Sequence, residues 1–194
     1  MLSKLKIKYI QTLGQKKFRD EEGLFIAEGP RLVAELLQAD DIRIKEIYAL
    51  PEWAAENKQM GAGITIVKVE PHELEKISQL TTPNKVLAVV HQARSSSPGP
   101  VKGRITLALD NIQDPGNLGT IIRIADWYGI SQVICSTDCA DVYNPKVVQS
   151  TMGSIGRVKV HYTRLDTWLS NQQEVRIYAA LLEGQPVTGM KKIT

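Results

Sequence analysis

Short apolar runs alternate with amphipathic stretches along the first half of the chain. Residues 24–27, 44–50, 64–69 and 86–92 have the length and composition of strands. Helices are predicted over 2–18, from about Pro30, over 52–60 and over 71–80, and proline suits the first turn of a helix. This alternation predicts an α/β unit with a parallel or mixed sheet that is sandwiched by helices.

Predicted strands and helices alternate more regularly in the second half of the chain. Strands are predicted over 105–109, from Val133, over 158–162 and over 177–182, with helices over 117–128, 144–152 and 165–171 between them. Such a βαβαβαβ series predicts a parallel sheet with right-handed crossovers. Ligands bind beyond the carboxyl ends of such strands, so the loops 111–119, 136–144 and 182–185 are the candidate site.

A run of polar and helix-breaking residues divides the two halves. It has the sequence Arg-Ser-Ser-Ser-Pro-Gly-Pro at 94–100, which is typical of a surface connector. We therefore predict one domain over 1–94, a linker over 95–101 and a second domain over 102–194. The fold class is α/β in both domains.

Composition narrows the class of protein. The 194 residues carry a net charge of +3 and 43% hydrophobic residues, which excludes wholesale disorder. No apolar run reaches the roughly 18 residues of a membrane span, and the N-terminus lacks the apolar core of a signal peptide. The two cysteines, Cys135 and Cys139, exclude a disulfide framework and favour a reducing compartment. We expect a cytoplasmic protein without membrane partners.

Positive charge is concentrated at the N-terminus. Residues 1–19 contain six basic residues and no acidic residue, whereas 20–100 contain 8 basic and 13 acidic residues. A basic arm on a mildly acidic body suits a polyanion, because each phosphate that it neutralises releases counterions. A solvated first helix with Leu2, Leu5, Tyr9 and Leu13 as its apolar stripe is the alternative.

Two strand–loop–helix stretches carry the candidate chemistry. In the first, 109–120, a buried strand runs into a Pro-Gly turn, and Asn117 is positioned to cap the next helix, whose free N–H groups suit an anion. Arg123 follows on that helix; a surface ion pair with Asp126 at i+3 is its alternative role. The second, 141–157, repeats the pattern with small residues that allow close packing, and a tightly packed turn explains it equally well.

Other familiar sites are missing from the sequence. His72, His91 and His161 are far apart and have no spaced acidic or cysteine partner, so no metal site is expected. Neither a Gly-x-Gly-x-x-Gly fingerprint nor a Walker loop is present. The Gly-Ser-Ile-Gly sequence at 153–156 is not the nucleophile elbow of a serine hydrolase. An unrelated nucleotide-binding enzyme is therefore a weak interpretation.

Together, the two stretches are similar to motifs one and two of the SpoU (TrmH-type) RNA 2′-O-ribose methyltransferases of the SPOUT class. The matching positions are Asn111, 114–119 and Arg123 in the first motif, and 144–146 and 150–156 in the second. Residues 16–19 and 25–33 resemble the family's small, ribosomal-protein-like substrate-binding domain. The resemblance covers nearly the whole chain.

The resemblance implies methyl transfer from S-adenosylmethionine to a ribose 2′-hydroxyl of rRNA or tRNA by a trefoil-knotted homodimer. Arg123 matches the catalytic arginine, and Asn111 is its companion in motif one. The expected contacts with the cofactor are Ala180, Leu181, Leu182 and Gly184. The candidate contacts with RNA are Lys16, Lys17, Arg19, Arg31 and Asn117.

The family's third motif, a Gly-Glu-Gly turn followed by a Ser-Leu-Asn stretch, would follow residues 191–194 and is not in this sequence. Those residues build the rest of the cofactor pocket, the knot and much of the dimer interface in the family. We therefore expect an incomplete knot and a weakened cofactor pocket in this 194-residue chain. An RNA-binding remnant without cofactor binding is the alternative function.

Overall fold

Two separate sheets organise the molecule in the computed structural model, which describes residues 1–57, 63–93 and 97–184. The end of the predicted helix 52–60, residues 94–96 of the connector and residues 185–194 lie outside the described residues. The predicted domain and linker boundaries stay predictions.

The elements of the first half follow the predicted order closely. The helices are α1 (Lys4–Thr12), α2 (Lys16–Glu22), α3 (Pro30–Leu37), α4 (Pro51–Glu56) and α5 (Pro71–Ile77). The strands are β1 (Leu24–Glu28), β2 (Ile44–Ala49), β3 (Thr65–Lys68) and β4 (Val86–His91). The predicted helix 2–18 is two helices: α1 ends at Thr12 with Leu13 as its C-cap, and Gly14 packs against Gln79, where a Cβ would lie 2.4 Å from the amide oxygen.

The first sheet has the order β1-β4-β2-β3. Strand β4 lies in the centre and is antiparallel to both β1 and β2, whereas β2 and β3 are parallel. Successive residues of β1 face opposite sides of the sheet, and all five are buried. Phe25 and Ala27 join a core with α3 and α4, while Leu24 and Ile26 join a core with α1 and α5. The predicted mixed sheet sandwiched by helices is confirmed.

The second half forms a three-stranded parallel sheet. Its strands are β5 (Leu107–Leu109), β6 (Gln132–Ser136) and β7 (Lys159–Thr163), in the order β5-β6-β7. Its helices are α6 (Pro115–Trp127), α7 (Pro145–Thr151) and α8 (Leu165–Ser170), with a 3₁₀ turn over Ser154–Gly156. The parallel arrangement agrees with the prediction.

The predicted fourth strand over 177–182 is wrong. Among the described residues this segment pairs with no strand, and Ile177, Leu181 and Leu182 are 59%, 72% and 107% exposed. Apolar composition favours a strand only where a neighbouring strand edge supplies hydrogen bonds and a core covers the side chains. Among the described residues, the segment 177–182 has neither a neighbouring strand edge nor a core that covers its side chains.

The helices α6 and α7 pack closely through Gly119. A Cβ at this position would lie 2.4 Å from Ser150 Cβ and 2.8 Å from the Val147 carbonyl oxygen. Both distances are shorter than side chains tolerate, so only glycine allows this approach. The first motif is thereby fixed against the second.

Replacing Gly119 by alanine should therefore destabilise the fold. Overpacking against a backbone carbonyl costs about 1–3 kcal/mol, and the better helix propensity of alanine offsets up to about 1 kcal/mol of this. Urea denaturation measures the difference. Thr120→Ala is the matched control, because Thr120 is the exposed neighbour on the same helix. Equal stability of the two variants would contradict the proposed close packing.

The two halves share an interface around α7. Val148 is 1% exposed and belongs to the same core as Phe25, whose ring lies 4.9 Å from that of Tyr143. Gly153, at a φ of 101°, faces Glu35 of α3 so closely that a Cβ would lie 2.7 Å from Glu35 Cβ. The second motif is therefore anchored on the first sheet. Within the described residues, no helix is long and apolar enough to cross a membrane.

Candidate active site

The loops that follow β5 and β6 are joined by hydrogen bonds. Asn111 adopts a left-handed backbone with a φ of 54°, and its N–H donates to Ser136 Oγ at 2.9 Å. The Ile112 N–H donates to Cys139 Sγ at 3.3 Å, and the Ala140 N–H donates to the Ile112 carbonyl at 2.8 Å. These bonds hold the first motif at the carboxyl ends of the strands, where the parallel sheet predicted a site.

Helix α6 begins two residues earlier than the sequence suggested. Asp114, not Asn117, is its N-cap, and the Asp114 carboxylate accepts from the Asn117 N–H at 2.7 Å. Pro115 occupies the first helical position, for which its fixed φ is suited. Asn117 lies exposed in the first turn, so its side chain remains accessible.

Arg123 is exposed on α6 and is not paired with Asp126. Its guanidinium Nη1 lies 3.1 Å from Met152 Sδ, which is a weak acceptor. Within residues 1–57, 63–93 and 97–184, no carboxylate lies within ion-pair distance of it. The alternative role that the sequence left open, a surface ion pair, is therefore not realised, and the charge of Arg123 is available to a ligand.

Asp126 is held by other partners. Its Oδ2 accepts from Arg157 Nη2 at 2.8 Å and from Ser154 Oγ at 2.8 Å, and its Oδ1 lies 3.2 Å from Arg157 Nε. The hydrogen bonds from Arg157 keep the pKa of the Asp126 carboxyl below its usual value. The carboxylate is therefore ionised and fully engaged at neutral pH.

A buried ion pair fixes the loop of the second motif. Arg19 is 2% exposed, and its Nη2 donates to Asp141 Oδ2 at 2.5 Å. Its Nη1 donates to the carbonyls of Leu13 and Gly14 at 3.1 and 2.8 Å. This burial corrects the expectation for Arg19, because a guanidinium that is enclosed and paired inside the protein is not available to RNA.

Tyr162 of β7 supports the same loop. Its hydroxyl accepts from the Val142 N–H at 2.8 Å and donates to the Ala140 carbonyl at 2.5 Å. Burial raises the pKa of this phenol above its usual value, so the donated proton is retained.

Sequence reasoning did not single out Tyr162, Asp141 or Arg157, because their partners are distant in the chain. The only signal for Arg157 was its place just after the glycine turn of the second motif.

The other candidate RNA contacts are exposed. Lys16 and Lys17 lie on α2, where they pair with Asp20 at 2.8 Å and Glu21 at 3.9 Å, and Arg31 lies in the first turn of α3. Exposed pairs of this kind contribute little, so a phosphate competes for these lysines readily. Their contact with RNA stays a prediction.

The expected cofactor residues lie in an exposed segment. Ala180, Leu181, Leu182 and Gly184 are all exposed, and the Gly184 N–H donates to the Leu181 carbonyl at 3.2 Å. Exposed backbone groups beside exposed leucines fit a flat heterocycle, whose edge needs hydrogen bonds and whose faces need apolar contact. The segment fits the adenosyl group in its chemistry. In the described residues it is not part of a closed pocket.

A groove of about 650 Å³ lies beside Arg123. Asp126, Met152 and Arg157 line it with Arg123, and so do three exposed apolar side chains, Ile124, Trp127 and Tyr128. Within the described residues, no group of three metal-ligating side chains is present.

The parallel sheet, the exposed arginine on the helix after its first strand and the basic N-terminal arm agree with the resemblance to RNA methyltransferases. A family model for SpoU rRNA methylases matches residues 104–193, and a model for the MRM3-like substrate-binding domain matches 4–88. The chain belongs to the SpoU rRNA methylase family. The resemblance and the α/β fold class inferred from the sequence are confirmed.

Three similar proteins illustrate the relationship. The Bacillus subtilis 23S rRNA (guanosine(2553)-2′-O)-methyltransferase RlmP is 31% identical over 93% of this chain and 72% of its own length. The human mitochondrial rRNA methyltransferase 3 is 29% identical over 75% of this chain and 36% of its own. An AdoMet-bound rRNA methyltransferase from Sinorhizobium meliloti superimposes with a TM-score of 0.76 at 30% identity, covering 88% of this chain and 66% of that chain.

These relatives are methyltransferases, and one has S-adenosylmethionine bound, as the sequence predicted for the family. They do not favour the alternative of an RNA-binding remnant. The chain spans 66% of the Sinorhizobium structure and 36% of the human protein.

Proposed function

We propose that this chain transfers a methyl group from S-adenosylmethionine to a ribose 2′-hydroxyl of rRNA. The observation that carries the proposal is the exposed guanidinium of Arg123 on α6, which pairs with no carboxylate of the described residues. A surface arginine next to an aspartate at i+3 would ordinarily be neutralised. Here that aspartate is engaged elsewhere.

The chemistry requires a group that stabilises negative charge. A ribose hydroxyl is a poor nucleophile and must lose its proton or be stabilised as an alkoxide. Arginine has a pKa above roughly 12, so it is a poor proton acceptor. Arg123 instead acts as an electrostatic clamp on the developing oxyanion and on a neighbouring phosphate, which accepts the proton. Asn111 lies in the adjoining loop, where the first motif places it.

The cofactor supplies an activated methyl group on a sulfonium. Ala180, Leu181, Leu182 and Gly184 would hold its adenosyl end through exposed backbone groups and leucine side chains. The contacts of Tyr162 and the Arg19–Asp141 pair hold the loop that follows β6 in place. Holding the reacting groups in line is then a large part of catalysis.

Calorimetry with S-adenosylmethionine, followed by transfer of a labelled methyl group to rRNA and tRNA, tests the proposal. We expect micromolar binding and 2′-O-methylation of rRNA that mass spectrometry of nuclease digests locates. Binding of RNA without binding of the cofactor would favour the remnant instead. Methylation of tRNA alone would correct the substrate.

The lysines of α2 are expected to contact the RNA backbone. Reversing both charges, as in Lys16→Glu with Lys17→Glu, should lower RNA affinity and reduce the slope of log K against log salt by about 1.4, or about 0.7 per lost single-strand phosphate contact. Fluorescence anisotropy at several salt concentrations measures the slope. Lys68→Glu with Lys76→Glu changes the net charge equally at two other exposed positions and should have a smaller effect. Equal slopes for both double variants would place the contact elsewhere.

A second copy of the chain is the proposed occupant of the apolar surface beside Arg123. Ile124, Trp127, Tyr128 and Met152 are 48%, 85%, 74% and 60% exposed and line one groove, and such contiguous patches mark interfaces. Trp127→Glu should shift the protein from dimer to monomer in analytical ultracentrifugation. Leu5→Glu, at an equally exposed leucine on α1, should not. A monomeric unmodified protein at high micromolar concentration would refute the dimer.

A further inference from the structure

Arg123 and Asp126 are placed to neutralise each other. They lie three residues apart on α6, where side chains are neighbours, and both line the same groove. An acid and a base in this relation form an ion pair unless another group competes. The structure contains such a competitor.

The competitor is Arg157, which follows the 3₁₀ turn after α7. It donates to both oxygens of Asp126, with Nη2 at 2.8 Å from Oδ2 and Nε at 3.0 Å from Oδ2 and 3.2 Å from Oδ1. Ser154 Oγ adds a hydrogen bond to Oδ2 at 2.8 Å. A planar guanidinium that engages a carboxylate through two nitrogens is a strong and oriented partner. Asp126 is thereby turned away from Arg123.

We propose that Arg157 is a positioning residue that withholds the Asp126 carboxylate from Arg123 and so keeps the catalytic guanidinium free for RNA. The inference rests on the proposed function of Arg123. An arginine that is already paired presents almost no net charge to an oxyanion or a phosphate, so its electrostatic contribution would fall. Arg157 itself does not touch the substrate.

The second side-chain partner of Arg157 supplies a control. Its Nη1 donates to Glu35 Oε2 of α3 at 2.9 Å, and this contact joins the second motif to the first sheet. Glu35→Gln removes that ion pair but leaves Asp126 engaged. A comparison with Arg157→Gln therefore distinguishes the effect of losing the Glu35 contact between the two halves from the effect of releasing Asp126.

The activity test uses Arg157→Gln, the double variant Arg157→Gln with Asp126→Asn, and Glu35→Gln. We expect kcat for methyl transfer to fall roughly twofold to threefold in Arg157→Gln, with little change in KM for S-adenosylmethionine, because an i,i+3 pair captures Arg123 for about half to two-thirds of the time. The double variant should regain most of the lost kcat, since the carboxylate at i+3 from Arg123 is gone. Glu35→Gln should resemble the unmodified chain.

A spectroscopic test is independent of turnover. The Arg123 Nε–H resonance in ¹⁵N NMR should shift in Arg157→Gln and return in the double variant. A resonance that does not move, or a double variant as impaired as Arg157→Gln, would overturn the inference and leave Arg157 a structural residue. An unmodified chain without methyl transfer would refute the proposed function, while the NMR comparison would still decide the role of Arg157.

Discussion

Replacing Arg123 by alanine should lower kcat for methyl transfer by about two to three orders of magnitude, the usual cost of losing one group that stabilises an oxyanion. Stability should change by no more than about 0.5 kcal/mol, because the side chain is exposed and contacts the weakly accepting thioether of Met152 at 3.1 Å. Single-turnover methylation of rRNA measures the rate, and thermal unfolding measures the stability.

Arg123→Lys is the matched control for charge. It retains the positive charge but loses the planar fork, so we expect a rate between those of the unmodified chain and the alanine variant. An alanine variant that methylates at the unmodified rate would remove Arg123 from the mechanism. A large loss of stability in either variant would show that the side chain has a structural role.

Breaking the Arg19–Asp141 pair should have the largest effect on stability. Arg19→Met keeps the aliphatic stem but leaves Asp141, which is 14% exposed, without its cationic partner. Removing one member of a buried ion pair costs about 3–5 kcal/mol. For a protein of this size each kcal/mol lowers Tm by about 2–4 °C, so a decrease of roughly 6–20 °C is expected.

Two control variants test whether the decrease in Tm comes from breaking this ion pair. Lys17→Met on the same helix removes an exposed charge, and its Tm should stay within about 2 °C of the unmodified value. Adding Asp141→Asn to Arg19→Met should recover part of the loss, because the uncompensated carboxylate is gone. A fully stable Arg19→Met variant would mean that the pair does not hold the second motif on the first sheet.

Local patterns were sufficient to predict most helices and strands. Apolar stripes and runs located α3, β1, β4 and β6 to within a few residues, because each element buries its apolar face in a core. The segment 177–182 has the composition of a strand but no partner edge among the described residues. Composition alone does not reveal whether a partner is present.

The site was predicted in part. The motifs located Asn111 and Arg123, because the family resemblance depends on them. The sequence did not show that Asp126 binds Arg157, 31 residues away, in preference to its near neighbour Arg123. It also grouped Arg19 with the lysines of α2, although the helix turns this one side chain inward. Both outcomes depend on tertiary contacts that local spacing does not contain.

The central position of β4 has a consequence for the order of folding. Because β4 pairs with both β1 and β2, the first sheet stays in two pieces until the ribosome has released residue 91, whereas β5, β6 and β7 add to their sheet one after another. The core that Phe25 and Ala27 form with α3 and α4 also lacks Val148 until α7 has been synthesised. Pairings over such separations are slow and leave apolar surface exposed meanwhile. The N-terminal half should therefore depend on chaperones during synthesis until the second motif closes over it.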